Sequence, residues 1–241
     1  MNGAVNVVSY LRSQGITKLY HFTDRANIQS IIDNGGLYSW YACEQKGIKI
    51  TRPGGSATSK SLDSWRGLQN YVRLSFTRNH PMMYVAKNDG RIVNPVVLEI
   101  DLSVAGYSTT KFSDRNATKN GAIIASGYDG AKNVHFSTVK QSDYFNLLPG
   151  EAQFYQAEVL VYEKIPISLI TNIDNYKPKP VNTGSYPGTI GTTSRPSYSS
   201  SSSSYKPSSY NSNSRPSESN GCFVWVIIIG IILFIIAAIN G

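Results

Sequence analysis

Cysteine, histidine and acidic residues are all scarce in this 241-residue chain. Two cysteines, Cys43 and Cys222, support neither a disulfide framework nor a four-cysteine zinc site. The three histidines, His21, His80 and His135, are poor material for a metal cluster, so no metal is expected. No GxxxxGK[ST] and no GxGxxG after a strand is present, which disfavours a P-loop enzyme and a Rossmann dehydrogenase. No Ser-His-Asp or Cys-His order stands out. The opening MNGAVNVVSYLRSQG holds no apolar run of the kind that directs export. Acidic residues number 15 against 23 basic ones, a net charge of +8. That excess points towards nucleic acid or anionic lipid.

The charge is not spread evenly. Residues 1–176 form one body, 177–221 a linker, and 222–239 an apolar segment. The body and the remaining C-terminal part each carry half of the excess. The linker holds 15 Ser and 6 Pro, including the run Ser199–Ser204, and is expected to be disordered because it has too little to bury. Its tyrosines are either stacking partners for bases or, more simply, part of a solvated spacer. The segment CFVWVIIIGIILFIIAAI has no charged residue and is just long enough to cross a bilayer as a helix. With Lys206 and Arg215 before it, a C-terminal membrane anchor with the body on the cytoplasmic side is expected, the inner membrane of a bacterium fitting best.

Within the body, Val5, Val8 and Leu11 repeat at helical spacing before Gly15. Leu19–Phe22 reads as a strand, and Thr23 as the cap of a helix over Asp24–Asn34. Residues 44–64 look like a basic loop. Strands are predicted at Tyr71–Thr77, Val93–Leu102 and Gln153–Tyr162. Helix signals gather at the front and strand signals behind, so the fold class is α+β.

Three stretches hold candidate chemistry. In QFYQAEVLVYE, alternation places Gln156, Glu158 and Leu160 on one face of a strand. A carboxylate among Ala, Val and Leu is costly to bury unpaired, so Glu158 is either functional or a solvent-facing edge residue. His21, between Tyr20 and Phe22, is either a structural histidine or a ligand-binding one. Arg78 and His80 lie on a turn shaped by Pro81.

Together these stretches carry a likeness. LYHFTDRANIQSIIDNGGLYS, YVRLSFTRNHPMMY, VVLEIDLS, KFSDRNAT and YQAEVLVYEKIPISLI, in this order, resemble the DarT-type ADP-ribosyltransferases of single-stranded DNA. The likeness runs from about Leu19 to Ile173. It implies an ADP-ribosyltransferase-like core of two central β-sheets flanked by helices, with NAD as co-substrate in the cleft between them. His21, Phe22, Thr23 and Asn27 would then bind NAD. Glu158 would match the catalytic glutamate of a Q-x-E signature, with Arg78 as the catalytic arginine. Gln153, Tyr155 and Gln156 would face the acceptor, a thymidine or guanosine base in single-stranded DNA. One residue more separates Arg78 from Pro81 than in the common family pattern, which makes Arg73 a second candidate. Ser75 stands where many members carry an aromatic residue. A toxin or phage-defence role and a neutralising macrodomain-type partner follow from the same likeness. Transfer to protein or RNA, and a non-enzymatic NAD- or nucleic-acid-binding module at the membrane, are the alternatives.

Overall fold

The computed structural model describes residues 6–177. The linker beyond them and the apolar segment 222–239 expected to span a membrane lie outside the described residues. Among those described, no helix is long and apolar enough to cross a membrane.

Strand β1 (Lys18–Asp24) opens the body behind helix α1 (Val7–Ser13), whose first turn is capped by the Asn6 side chain. Helix α2 (Ile28–Asp33) leads to β2 (Gly36–Tyr38), helices α3 (Trp40–Lys46) and α4 (Ala57–Trp65), and β3 (Tyr71–Ser75). Then come α5 (Pro81–Asn88), β4 (Pro95–Asp101), β5 (Lys111–Ser113) and β6 (Ile124–Ser126). Short helices α6 (Gly127–Ala131) and α7 (Phe136–Val139) precede β7 (Glu158–Tyr162) and β8 (Lys164–Pro166).

Six strands form one antiparallel sheet in the order β4-β1-β3-β7-β5-β6, and β2 pairs with β8 in a second, two-stranded sheet. Alternation sorts the residues of the large sheet. Val72, Leu74, Val159 and Val161 enter the main core together with side chains from α1, α2, α6 and α7. The intervening Arg73, Ser75, Glu158 and Leu160 take the opposite face. Register aligns Glu99, Tyr20, Ser75, Glu158 and Ser113 in a single row across β4, β1, β3, β7 and β5. The β2–β8 pairing needs a glycine. Gly36 sits at φ +153, and a Cβ there would lie 2.3 Å from the Ile165 carbonyl oxygen.

The strands expected at Tyr71–Thr77 and Val93–Leu102 are shorter, Tyr71–Ser75 and Pro95–Asp101, and three other expectations change through local hydrogen bonds. The helix predicted over Asp24–Asn34 is split, since β1 runs through Thr23 to Asp24. The Asp24 carboxylate, rather than Thr23, accepts the Ala26 N–H and caps a short 3₁₀ turn before α2. Residues 44–64 are not all loop. Ser56 caps α4 by accepting the Ser59 N–H, while α3 runs to Lys46 and stops at Gly47 in the left-handed region. The strand predicted from Gln153 starts only at Glu158, because Phe154–Gln156 close a 3₁₀ turn through Ala157 N–H to Phe154 O. Gln156 therefore precedes the strand instead of alternating with Glu158.

Candidate active site

A cleft of about 260 Å³ opens between β1, β3, α4 and the loop before α4. His21, Phe22, Thr23, Asn27, Arg73 and Glu158 all line it. His21 and Arg73 tie two of its walls together: His21 Nδ1 lies 2.9 Å from the Arg73 carbonyl oxygen. A carbonyl only accepts, so Nδ1 carries the proton and Nε2 is left as an acceptor. Burial pushes the His21 pKa down and keeps the ring neutral. Asn27 clamps the cleft loop. Its Nδ2 donates to Thr23 Oγ1 (3.0 Å) and to the Arg52 carbonyl (2.8 Å), while its Oδ1 accepts the Arg52 N–H (3.0 Å). Phe22 lies between the rings of His21 and His80, at 6.3 Å and 6.0 Å.

Glu158 is not on an edge. Its strand is paired on both sides, by β3 and by β5, and the residue is 7% exposed. Its Oε2 accepts from Arg73 Nη1 at 2.5 Å and from the Ala117 N–H at 2.8 Å. Among the described residues nothing bonds Oε1. The other end of the Arg73 guanidinium meets Asp63, which α4 delivers and which Trp40 Nε1 also contacts at 3.3 Å. Burial raises the pKa of Glu158 and of Asp63 against the pull of Arg73. Burial also works against the Arg73 charge, but the two carboxylates outweigh it and raise its pKa. With all three ionised, two carboxylates share one guanidinium and the cluster is net negative. Such a fixed negative site stabilises a positive charge that develops beside it.

Arg78 lies elsewhere. Its Nη1 meets Glu99 Oε1 at 2.7 Å, its side chain is half-exposed, and it lines a second depression rather than the cleft. Of the acceptor-side residues, Tyr155 is buried against that depression, with its hydroxyl 3.3 Å from the Gln141 carbonyl. Gln153 accepts from Arg115 Nη1 at 2.6 Å, and Gln156 sits in the turn leading to Glu158. Two parts of the site, Asp63 and Ala117, carry no signal in the sequence, while His80, expected on the turn before Pro81, does reach the cleft. Asp63 comes from a stretch of Ser and Lys without clear periodicity, and Ala117 contributes only a backbone N–H. His80 enters the cleft as the cap of α5, and burial pushes its pKa down to about 4.

A buried carboxylate that shares a guanidinium with a second carboxylate and keeps one oxygen free, in a cleft with a neutral histidine and an asparagine-clamped loop, suits cleavage of a nucleotide glycosidic bond. The family model described as "ssDNA thymidine ADP-ribosyltransferase, DarT" matches residues 20–183, well over half of the chain. The chain therefore belongs to the DarT family and is an ADP-ribosyltransferase that uses NAD⁺. Thermus sp. 2.9 DarT in complex with ADP-ribosylated ssDNA shares the fold at a TM-score of 0.54 and 21% identity, over 65% of this chain and 79% of that one. Its complex with carba-NAD⁺ aligns at 0.50 and 20%, over 64% and 80%. Thermosipho africanus DarTG in complex with ADP-ribose aligns at 0.54 and 21%, over 64% of this chain and 42% of that one. No curated protein matches the chain.

Proposed function

We propose that the chain transfers ADP-ribose from NAD⁺ to a thymidine in single-stranded DNA, with Glu158 as the catalytic carboxylate. The observation that carries this is the pinning of Glu158 Oε2 by Arg73 and the Ala117 N–H, which leaves Oε1 free. NAD⁺ lies in the cleft against His21, Phe22, Thr23 and Asn27. Breaking its nicotinamide–ribose bond builds positive charge on the ribose, and the net negative Glu158 cluster stabilises that charge most in the transition state. The acceptor base enters from the side of Gln153, Tyr155 and Gln156. Its ring nitrogen loses a proton on attack, and a carboxylate of raised pKa is suited to take it. In a duplex that nitrogen is engaged in pairing, so the substrate is single-stranded. Arg73 holds the catalytic carboxylate, while Arg78 stays with Glu99 outside the cleft.

The family description supports the base, and the relative bound to ADP-ribosylated ssDNA supports the acceptor. A DNA-modifying activity of this kind fits a toxin or phage-defence effector, held in check by a macrodomain-type partner that removes ADP-ribose. The apolar segment 222–239 anchors it in the membrane with the body on the cytoplasmic side; this part rests on the sequence alone.

Incubating the chain with NAD⁺ labelled in its ADP-ribose and a thymidine-containing single strand tests the assignment. Label on the oligonucleotide is expected, and Glu158→Gln should lower its rate at least about a hundredfold, the scale of losing one key transition-state group. Label only on protein or RNA overturns the DNA reading.

A further inference from the structure

A second depression of about 260 Å³ shares no lining residue with the NAD cleft. Its walls are the turn before β1 (residues 15–18), Tyr20, the end of β3 with the loop after it (76–79), the end of α7 (139–142) and Tyr155. Three cations line it: Lys18, Arg78 and Lys140. The neighbouring Glu99 takes two of them, Lys18 Nζ at 2.6 Å and Arg78 Nη1 at 2.7 Å, and the Lys18 hydrogen bond pulls its pKa down so that it stays ionised. Lys140 makes no ion pair among the described residues and is exposed. The group is therefore net positive.

Thr77 is buried in the wall with its hydroxyl turned to that of Tyr155. The surplus positive charge points to an anion as the ligand.

The position says which anion. Glu99 and Glu158 stand at two points of one cross-strand row, three strand spacings or about 14 Å apart. Tyr155 belongs to both places, since it walls the depression and precedes Glu158 by three residues. A nucleic-acid strand with its base at Glu158 carries its neighbouring backbone across this distance. We propose that the depression binds a phosphodiester of the single-stranded substrate flanking the acceptor nucleotide, with Lys140 and Lys18 as its partners. This rests on the DNA reading above. Phosphate contacts of this kind set the register of a strand without reading its sequence.

The experiment compares the full chain with Lys140→Ala and with Lys18→Ala/Lys140→Ala. Oligonucleotide binding is followed against salt, and KM for the oligonucleotide is measured on several sequences. Each lost phosphate contact lowers the slope of log K against log salt by about 0.7, so the double variant should lose about 1.4. KM should rise several-fold and equally on every sequence, as a backbone contact requires. An unchanged slope in the double variant of a chain that does label DNA overturns this proposal alone. A rise in KM confined to particular sequences also overturns it, because a base contact would then be the cause. A wild-type chain that labels no DNA overturns the DNA reading and this site with it.

Discussion

Replacing Arg73 by alanine removes the cation that two buried carboxylates share. Glu158 is 7% exposed and Asp63 4%, and the guanidinium bonds both. Removing one partner of a buried ion pair costs about 3–5 kcal/mol, because the charge left behind is uncompensated. Two charges are left here, which pushes the cost up. Each keeps one N–H, from Ala117 or from Trp40, which pulls it back down. A loss of about 3–5 kcal/mol at neutral pH is therefore expected, a fall in melting temperature of roughly 6–20 °C for a body of this size. The loss should depend on pH with a definite sign. Burial already raises both carboxyl pKa values above their unfolded ones, and without Arg73 they rise further. A folded pKa above the unfolded value gives stability that is complete below the unfolded pKa and is lost as pH rises through the folded one. The deficit of the variant against wild type should thus shrink on acidification from about pH 7.5 to about pH 5. Melting curves followed by circular dichroism across that range check it. Adding Asp63→Asn to Arg73→Ala should recover part of the loss at the upper pH. A variant within about 2 °C of wild type at neutral pH, roughly the effect of one kcal/mol or less, refutes the shared-cation account. So does a deficit that grows as pH falls.

The same cluster governs catalysis. Because transfer needs ionised Glu158, whose pKa burial raises, the acid limb of the rate should lie above the ordinary carboxylate value of about 4.3. Asp63 is one of the charges that raises that pKa, so Asp63→Asn should move the limb to lower pH while the rate falls through the loosened Arg73. A limb that stays in place or moves up would mean another group titrates. In the small sheet, Gly36→Ala forces a Cβ against the Ile165 carbonyl, at a cost of about 1–3 kcal/mol. Urea unfolding should show a lower midpoint, and an unchanged midpoint would mean β2 and β8 part freely.

How far the site was legible in sequence follows from what kind of interaction sets each residue. Strands β1, β3 and β4 show themselves by alternation and β-branched content, and α1 by apolar spacing, since each signal is local. Helix α4 shows no such pattern. It is fixed by the Ser56 cap and by what its residue Asp63 meets across the fold. Taken alone, Glu158 reads more naturally as a solvent-facing edge residue, because burial of a strand depends on its neighbours. Pairing with both β3 and β5, strands far away in sequence, is what removes it from water. Register also explains the arginines. Arg73 lies one alternation step from Ser75, the partner of Glu158, and so shares the carboxylate's face. Arg78 lies past the strand end, where the nearest charges are those of Glu99 and Lys18.

One row of cross-strand partners thus divides the labour between two carboxylates of the same chemical type. Glu158 has one cation to share with Asp63 and is driven towards proton uptake; Glu99 has two cations to itself and stays ionised. The first arrangement suits a group that must meet developing positive charge and accept a proton. The second leaves surplus positive charge at the surface, where a polyanion can be held. Neither property belongs to glutamate as a residue type, and neither is visible in the few residues around it. Both arise from which distant cation the register brings alongside, so the charge that matters for function is the local imbalance at each end of the row and not the net +8 of the chain.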